Sequence, residues 1–193
     1  MADQTVKSAN PAPLGLAAFG VTTVVLSTIN AGLLPAAALP AVLALAFAFG
    51  GLAQLLVGAY EFKNGNTFGM VAFSAYGAFW LWFTFLFWAS GAGLMKASSG
   101  AGVGFSLFMW GVFTLYMWVA TFRTNLALWV IFLLLWITFF LLAGGEFGMG
   151  TGTLGGYLGI LTGIAALYTS FAEVTNATFG RVVVPLGNPI LKA

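Results

Sequence analysis

Three carboxylates, Glu61, Glu146 and Glu173, stand at the ends of apolar runs, and each has a chemistry open to it. A carboxylate at the end of a membrane span either sits in the interface or exchanges a proton with a passing solute. Glu61 and Glu173 are expected at helix C-terminal ends, where the helix dipole disfavours negative charge, and Lys63 and Arg181 are candidate compensating cations. Both readings, interfacial group and proton-coupling group, stay open at this point. A second set is neutral. Thr22, Thr23, Ser27 and Asn30 fall in the first apolar run and Gln54 in the second. Thr23, Ser27 and Asn30 are spaced to share one helical face, with Phe19 one turn earlier. Such a stripe either bonds neighbouring helices or offers neutral donors to a small solute.

Other chemistry is excluded by residue type. With no cysteine and no histidine, there are no disulfides, thiolate metal sites, histidine proton relays or histidine haem ligation. Nucleophile constellations, phosphate-binding loops and metal-ligand clusters are absent from the sequence, so no enzyme, cofactor or metal is expected. The six basic residues are too few and scattered to hold nucleic acid. The last apolar run has no lysine for a retinal Schiff base.

The elements that position these groups follow from composition. Charged residues are 5% of the chain, against about a quarter of a soluble domain. Only five fall between Leu14 and Glu173. A bilayer core about 30 Å thick takes roughly 20 apolar residues per helix. Six runs of that kind are present, approximately 13–33, 39–60, 67–90, 102–121, 125–143 and 153–173. The run Leu126–Leu142 does not alternate in polarity as a barrel strand would. The expectation is an all-α integral membrane protein, one six-helix transmembrane domain over residues 1–193. The first run lacks a basic leader and is too long for a cleaved signal.

Six spans place Lys7, Lys63, Arg123, Arg181 and Lys192 on one side and Lys96 alone on the other. Under the positive-inside rule both termini are then cytoplasmic. Asn10 precedes Pro11-Ala12-Pro13 and is the expected N-cap of the first helix. The Asn-Pro-Ala string occurs once, at a span's start, and so does not make an aquaporin. Gly155, Gly159 and Gly163 recur every four residues, as do Gly100 and Gly104, a pattern expected for close helix packing. All seven tryptophans fall in the third to fifth runs. Trp88, Trp118 and Trp129 are expected at the interfaces, and Trp80, Trp82, Trp110 and Trp136 against lipid or a neighbouring subunit. Glu61 with Asn66-Thr67-Phe68-Gly69, and Glu173 with Asn176 and Thr178-Phe179-Gly180, form a short internal echo.

A set of motifs runs through nearly the whole chain. They are Asn10-Pro11-Ala12-Pro13-Leu14-Gly15-Leu16 with Phe19-Gly20 and Thr22-Thr23, then Gly50-Gly51-Leu52-Ala53-Gln54. Next come Glu61-Phe62-Lys63-Asn64-Gly65-Asn66-Thr67-Phe68-Gly69, Ser74-Ala75-Tyr76-Gly77-Ala78-Phe79-Trp80 and Trp110-Gly111-Val112-Phe113-Thr114. The series ends with Phe179-Gly180-Arg181 and Pro185. In this order they resemble the acetate uptake transporter family, which includes a bacterial succinate–acetate permease and fungal acetate/ammonia-export relatives. The resemblance implies a homohexamer in the cell membrane with a pathway through each protomer. It implies passage of acetate, succinate or similar small acids, linked to protons, past a constriction of Phe19, Tyr76 and Leu135. Asn10, Thr22, Thr23, Asn30 and Gln54 are the polar groups expected near that path, with Glu61 and Glu173 as possible proton-coupling groups. Tyr76 is further expected to donate its hydroxyl to the carboxylate. An ammonia or other neutral-solute channel, and a structural or sensory membrane protein without flux, are the rival readings. The family often has a small hydroxyl residue where this chain has Trp82.

Overall fold

The computed structural model describes residues 8–191. Six helices are long and apolar enough to cross a membrane: α1 (Ala12–Asn30), α2 (Ala36–Lys63), α3 (Thr67–Gly91), α4 (Gly100–Thr121), α5 (Leu126–Glu146) and α6 (Gly152–Phe179). No strand occurs among the described residues. Lys7 and Lys192, two of the charges behind the expected orientation, lie outside them.

Helix ends follow local chemistry. Asn66, Ser99 and Asn125 cap α3, α4 and α5, each side-chain oxygen accepting a backbone N–H three residues on. Asn10 does not cap α1. Pro11 holds that position, and Asn10 Oδ1 accepts from the Ala12 N–H at 3.0 Å. Span ends depart from expectation, and α2 reaches three residues further at each end. α1 stops at Asn30, before a glycine with positive φ at Gly32. α6 runs on to Phe179 and closes on Gly180 at φ 64°, because nothing between Glu173 and Phe179 breaks a helix. Glu173 therefore stands inside the last helix rather than at its end.

α2 is not uniform. It opens with a tight 3-10 turn at Ala36–Ala38, and Ala46–Ala53 winds in wider π-type turns before regular helix resumes at Gln54. Such widened turns cluster at functional sites. Here the widened stretch carries Gly50, where a Cβ would lie 2.8 Å from Trp80 Cγ and 3.0 Å from the Thr22 side chain. The missing side chain lets α1, α2 and α3 meet.

The helices pack as a ring in the order α3, α2, α1, α6, α5, α4. The glycine stripe of α6 serves this ring. A Cβ at Gly159 would strike the Ser27 side chain, and one at Gly163 would lie 2.6 Å from Val24 Cγ2 and 2.8 Å from the Gly20 carbonyl oxygen. Close backbone approach of this kind replaces the hydrophobic drive that lipid does not provide. α3 and α4 close the ring chiefly through side chains: Tyr76 and Phe79 against Trp110, and Tyr76 against Phe113, with ring centroids 5.2–6.3 Å apart. Trp80, 2% exposed, and Trp110 thus pack within the bundle, against the expectation that lipid or a neighbour would cover them. Trp110 fills the gap between α3 and α4 that the helix backbones do not close, and Trp80 packs against Gly50 of α2.

Candidate permeation pathway

Two cavities lie along the inside of the ring. The first, of about 70 Å³, is lined by Leu16 and Phe19 of α1, Gln54 of α2, Tyr76 of α3, Leu135 of α5 and Glu173 of α6. Roughly 10–15 Å³ of such space holds one water, so this cavity takes a few waters or a small acid. Its polar end, with Asn66 and Glu173, faces the side of the bundle that carries both chain ends. The second cavity, of about 500 Å³, opens toward the opposite side. Asn30 of α1, Trp82 and Phe87 of α3, Leu107 of α4 and Glu146 of α5 are among its walls.

Between the cavities stands a plug of rings. Phe19 and Tyr76 lie 5.7 Å apart, Tyr76 and Phe132 6.1 Å, and Phe79 and Phe139 5.3 Å, edge to face. All are buried. Leu135, 3% exposed, sits one turn before Phe139 and faces the same interior, whereas Leu134 is half-buried. The structure thus brings Phe19, Tyr76 and Leu135 onto one cavity wall. Phe79, Phe132 and Phe139 also belong to this plug, and the sequence reading missed them. Their signal was present: Tyr76 to Phe79 is three residues, and Leu135 to Phe132 and Phe139 is three and four, the spacing of one helical face.

The hydroxyl of Tyr76 is already committed. Thr114 Oγ1 donates its single hydrogen to the Trp110 carbonyl at 2.7 Å, so the 3.0 Å contact with Tyr76 Oη has tyrosine as the donor. The expectation that Tyr76 donates to a carboxylate is therefore corrected, since its proton goes to Thr114. Gln54, fully buried, donates Nε2 to the Gly50 carbonyl at 2.7 Å, and its Oε1 has no partner.

The remaining polar residues divide. Asn10 Nδ2 donates to Glu173 Oε2 at 3.1 Å, beside the first cavity. Glu61, 2% exposed, accepts from Asn66 Nδ2 at 2.9 Å and stands behind Asn66 rather than on the cavity wall. Asparagine amides, not Lys63 or Arg181, hold the two carboxylates, and Lys63 lies over the Tyr60 ring at 5.6 Å. Asn30 lines the second cavity. Thr22 and Thr23 line neither. Thr22 donates to the Ala18 carbonyl at 2.8 Å and packs against Gly50 of α2, which takes it off the expected path. Thr23 is buried with its hydroxyl unpartnered. Ser27 faces α6 at Gly159. The internal echo does not extend to contacts, because Asn176 binds the tail at Val183 and Val184 instead of Glu173. No group of three or more potential metal-ligating side chains occurs among the described residues.

The chain matches the family described as GPR1/FUN34/yaaH over residues 1–188. It is 39% identical to the succinate-acetate/proton symporter SatP of Escherichia coli K12, over 94% of this chain and 96% of that one. Acetate permease A of Emericella nidulans is 43% identical over 66% of this chain and 46% of its own greater length. A solved structure of the bacterial acetate channel SatP superposes with a TM-score of 0.90 at 39% identity, covering 94% of this chain and all of that one.

Proposed function

The chain belongs to the GPR1/FUN34/yaaH family, and from that premise we propose that it is a membrane permease for acetate and similar small acids, succinate among them, with proton-linked passage. The observation that carries this reading is the line of two cavities separated by the plug of Phe19, Tyr76 and Leu135, within one protomer. A narrow apolar constriction rejects hydrated ions by dewetting, yet passes a small solute that sheds little water. The cavity walls hold no cation that would trap an anion.

In this reading Asn10 and Glu173 form the polar mouth at the terminus-bearing side, and Glu173 exchanges a proton with the acid there. Gln54 is the polar group at the plug, and Asn30 is a polar group of the wider chamber, which Glu146 also lines. We place both termini in the cytoplasm and the protein in the cell membrane, following the distribution of basic residues. Assembly as a homohexamer, which the family resemblance implies, is part of this proposal. The test is uptake of radiolabelled acetate into proteoliposomes, with protein-free vesicles subtracted. Flux that depends on protein supports the permease. A folded oligomer without flux would support the structural or sensory reading.

A further inference from the structure

We propose that the plug accepts the acid in its protonated, uncharged form, its –COOH pairing with the free edge of the Gln54 amide. The proposal rests on the permease reading above and adds the chemical species that passes. Its basis is a count of donors and acceptors at the narrowest level of the path.

Gln54 sits at that level: a Cβ on Gly77, next to Tyr76, would lie 2.9 Å from the Leu55 backbone nitrogen. The Gln54 amide orientation is fixed by its 2.7 Å bond to the Gly50 carbonyl, which only Nε2 can make. That leaves Oε1, a buried acceptor without a partner, and one N–H beside it. Tyr76 is the other polar side chain on this stretch of wall, and with its proton committed to Thr114 its oxygen can only accept. Trp80 Nε1 is unpartnered too, but Trp80 lies behind the wall against Gly50. The plug therefore presents two acceptors and one donor.

A carboxylate anion offers acceptors only, so it would set its charge against Gln54 Oε1 and the Tyr76 oxygen in a site that excludes water. A carboxylic acid offers one donor and one acceptor side by side. Its O–H reaches Oε1 while its carbonyl accepts the free amide N–H, which satisfies the orphaned oxygen.

Two isosteres separate these species. Acetamide is neutral and carries an N–H and a carbonyl, whereas methanesulfonate is a permanent anion of similar size. Each would be added in excess to proteoliposomes taking up labelled acetate. Acetamide is expected to inhibit the protein-dependent flux and methanesulfonate to leave it unchanged. In Gln54→Met, which keeps shape but removes both groups, inhibition by acetamide should weaken about tenfold. Inhibition by methanesulfonate with none by acetamide would overturn the inference while leaving the permease intact. Loss of all protein-dependent flux in the unaltered protein would instead remove the permease reading, and this inference with it. The isostere comparison needs no variant to fold.

Discussion

Tyr76 Oη donates to Thr114 Oγ1 at 3.0 Å, and this bond joins α3 to α4 where their backbones stand apart. The tyrosine is thus a tie across the ring as well as a wall of the first cavity. In Tyr76→Phe the ring contacts survive and the tie is lost, at a cost of about 0.6–1 kcal/mol. The expected result is a slightly lower melting temperature in detergent with acetate flux retained or raised. Abolished flux with unchanged stability would show that the hydroxyl serves the solute directly.

Leu135 lines the first cavity from α5. Replacing it with alanine removes a buried side chain, a change worth about 2–5 kcal/mol in protein interiors and toward the low end beside an existing cavity. Leu135→Ala should lower the melting temperature, raise the flux of succinate relative to acetate and widen the range of acids accepted. Unchanged rate and size range would remove Leu135 from the constriction.

Trp82 lines the larger chamber and lies 5.7 Å from the Phe79 ring, centre to centre. A residue of this bulk above the plug limits the size of what reaches it. Trp82→Thr is expected to raise uptake of larger acids and leave acetate uptake near its original rate. A uniform loss for all substrates would mean that the indole supports the fold alone.

Glu173 lines the mouth and Glu61 stands behind Asn66, so their variants should differ. Glu173→Gln is expected to slow proton-linked acetate accumulation several-fold, and Glu61→Gln to slow it less. Full accumulation rates in Glu173→Gln would end its role in proton exchange.

Gly163 offers a direct test of the α1–α6 packing. Gly163→Val forces Val24 and the Gly20 carbonyl apart, and overpacking costs about 1–3 kcal/mol or more. A melting temperature equal to that of the unaltered protein would contradict the ring order described here.

Much of the fold was legible because lipid imposes one rule, long apolar helices, and this chain breaks it nowhere: six runs gave six spans. Ends were less legible. α6 outran its expected limit because Glu173 reads as a boundary in hydropathy although glutamate is a good helix former. Asn10 itself read as a helix cap, yet proline took that position. For the site, the family resemblance pointed to Phe19, Tyr76 and Leu135 together. Phe79, Phe132 and Phe139 are legible only through their helical spacing from Tyr76 and Leu135, since without such a reference an aromatic residue facing inward and one facing lipid look alike in a uniformly apolar helix. Thr22 failed for a related reason. Its hydroxyl bonds its own helix at Ala18, and only the glycine across from it, Gly50, shows which way it faces.

The central claim is that this protein carries small acids across a bilayer, and labelled acetate in proteoliposomes tests it most directly. The account predicts uptake above the leak of protein-free vesicles, with accumulation that follows an imposed proton gradient and collapses with an uncoupler. Uptake no faster than the leak, from protein shown to be folded and inserted, would contradict it.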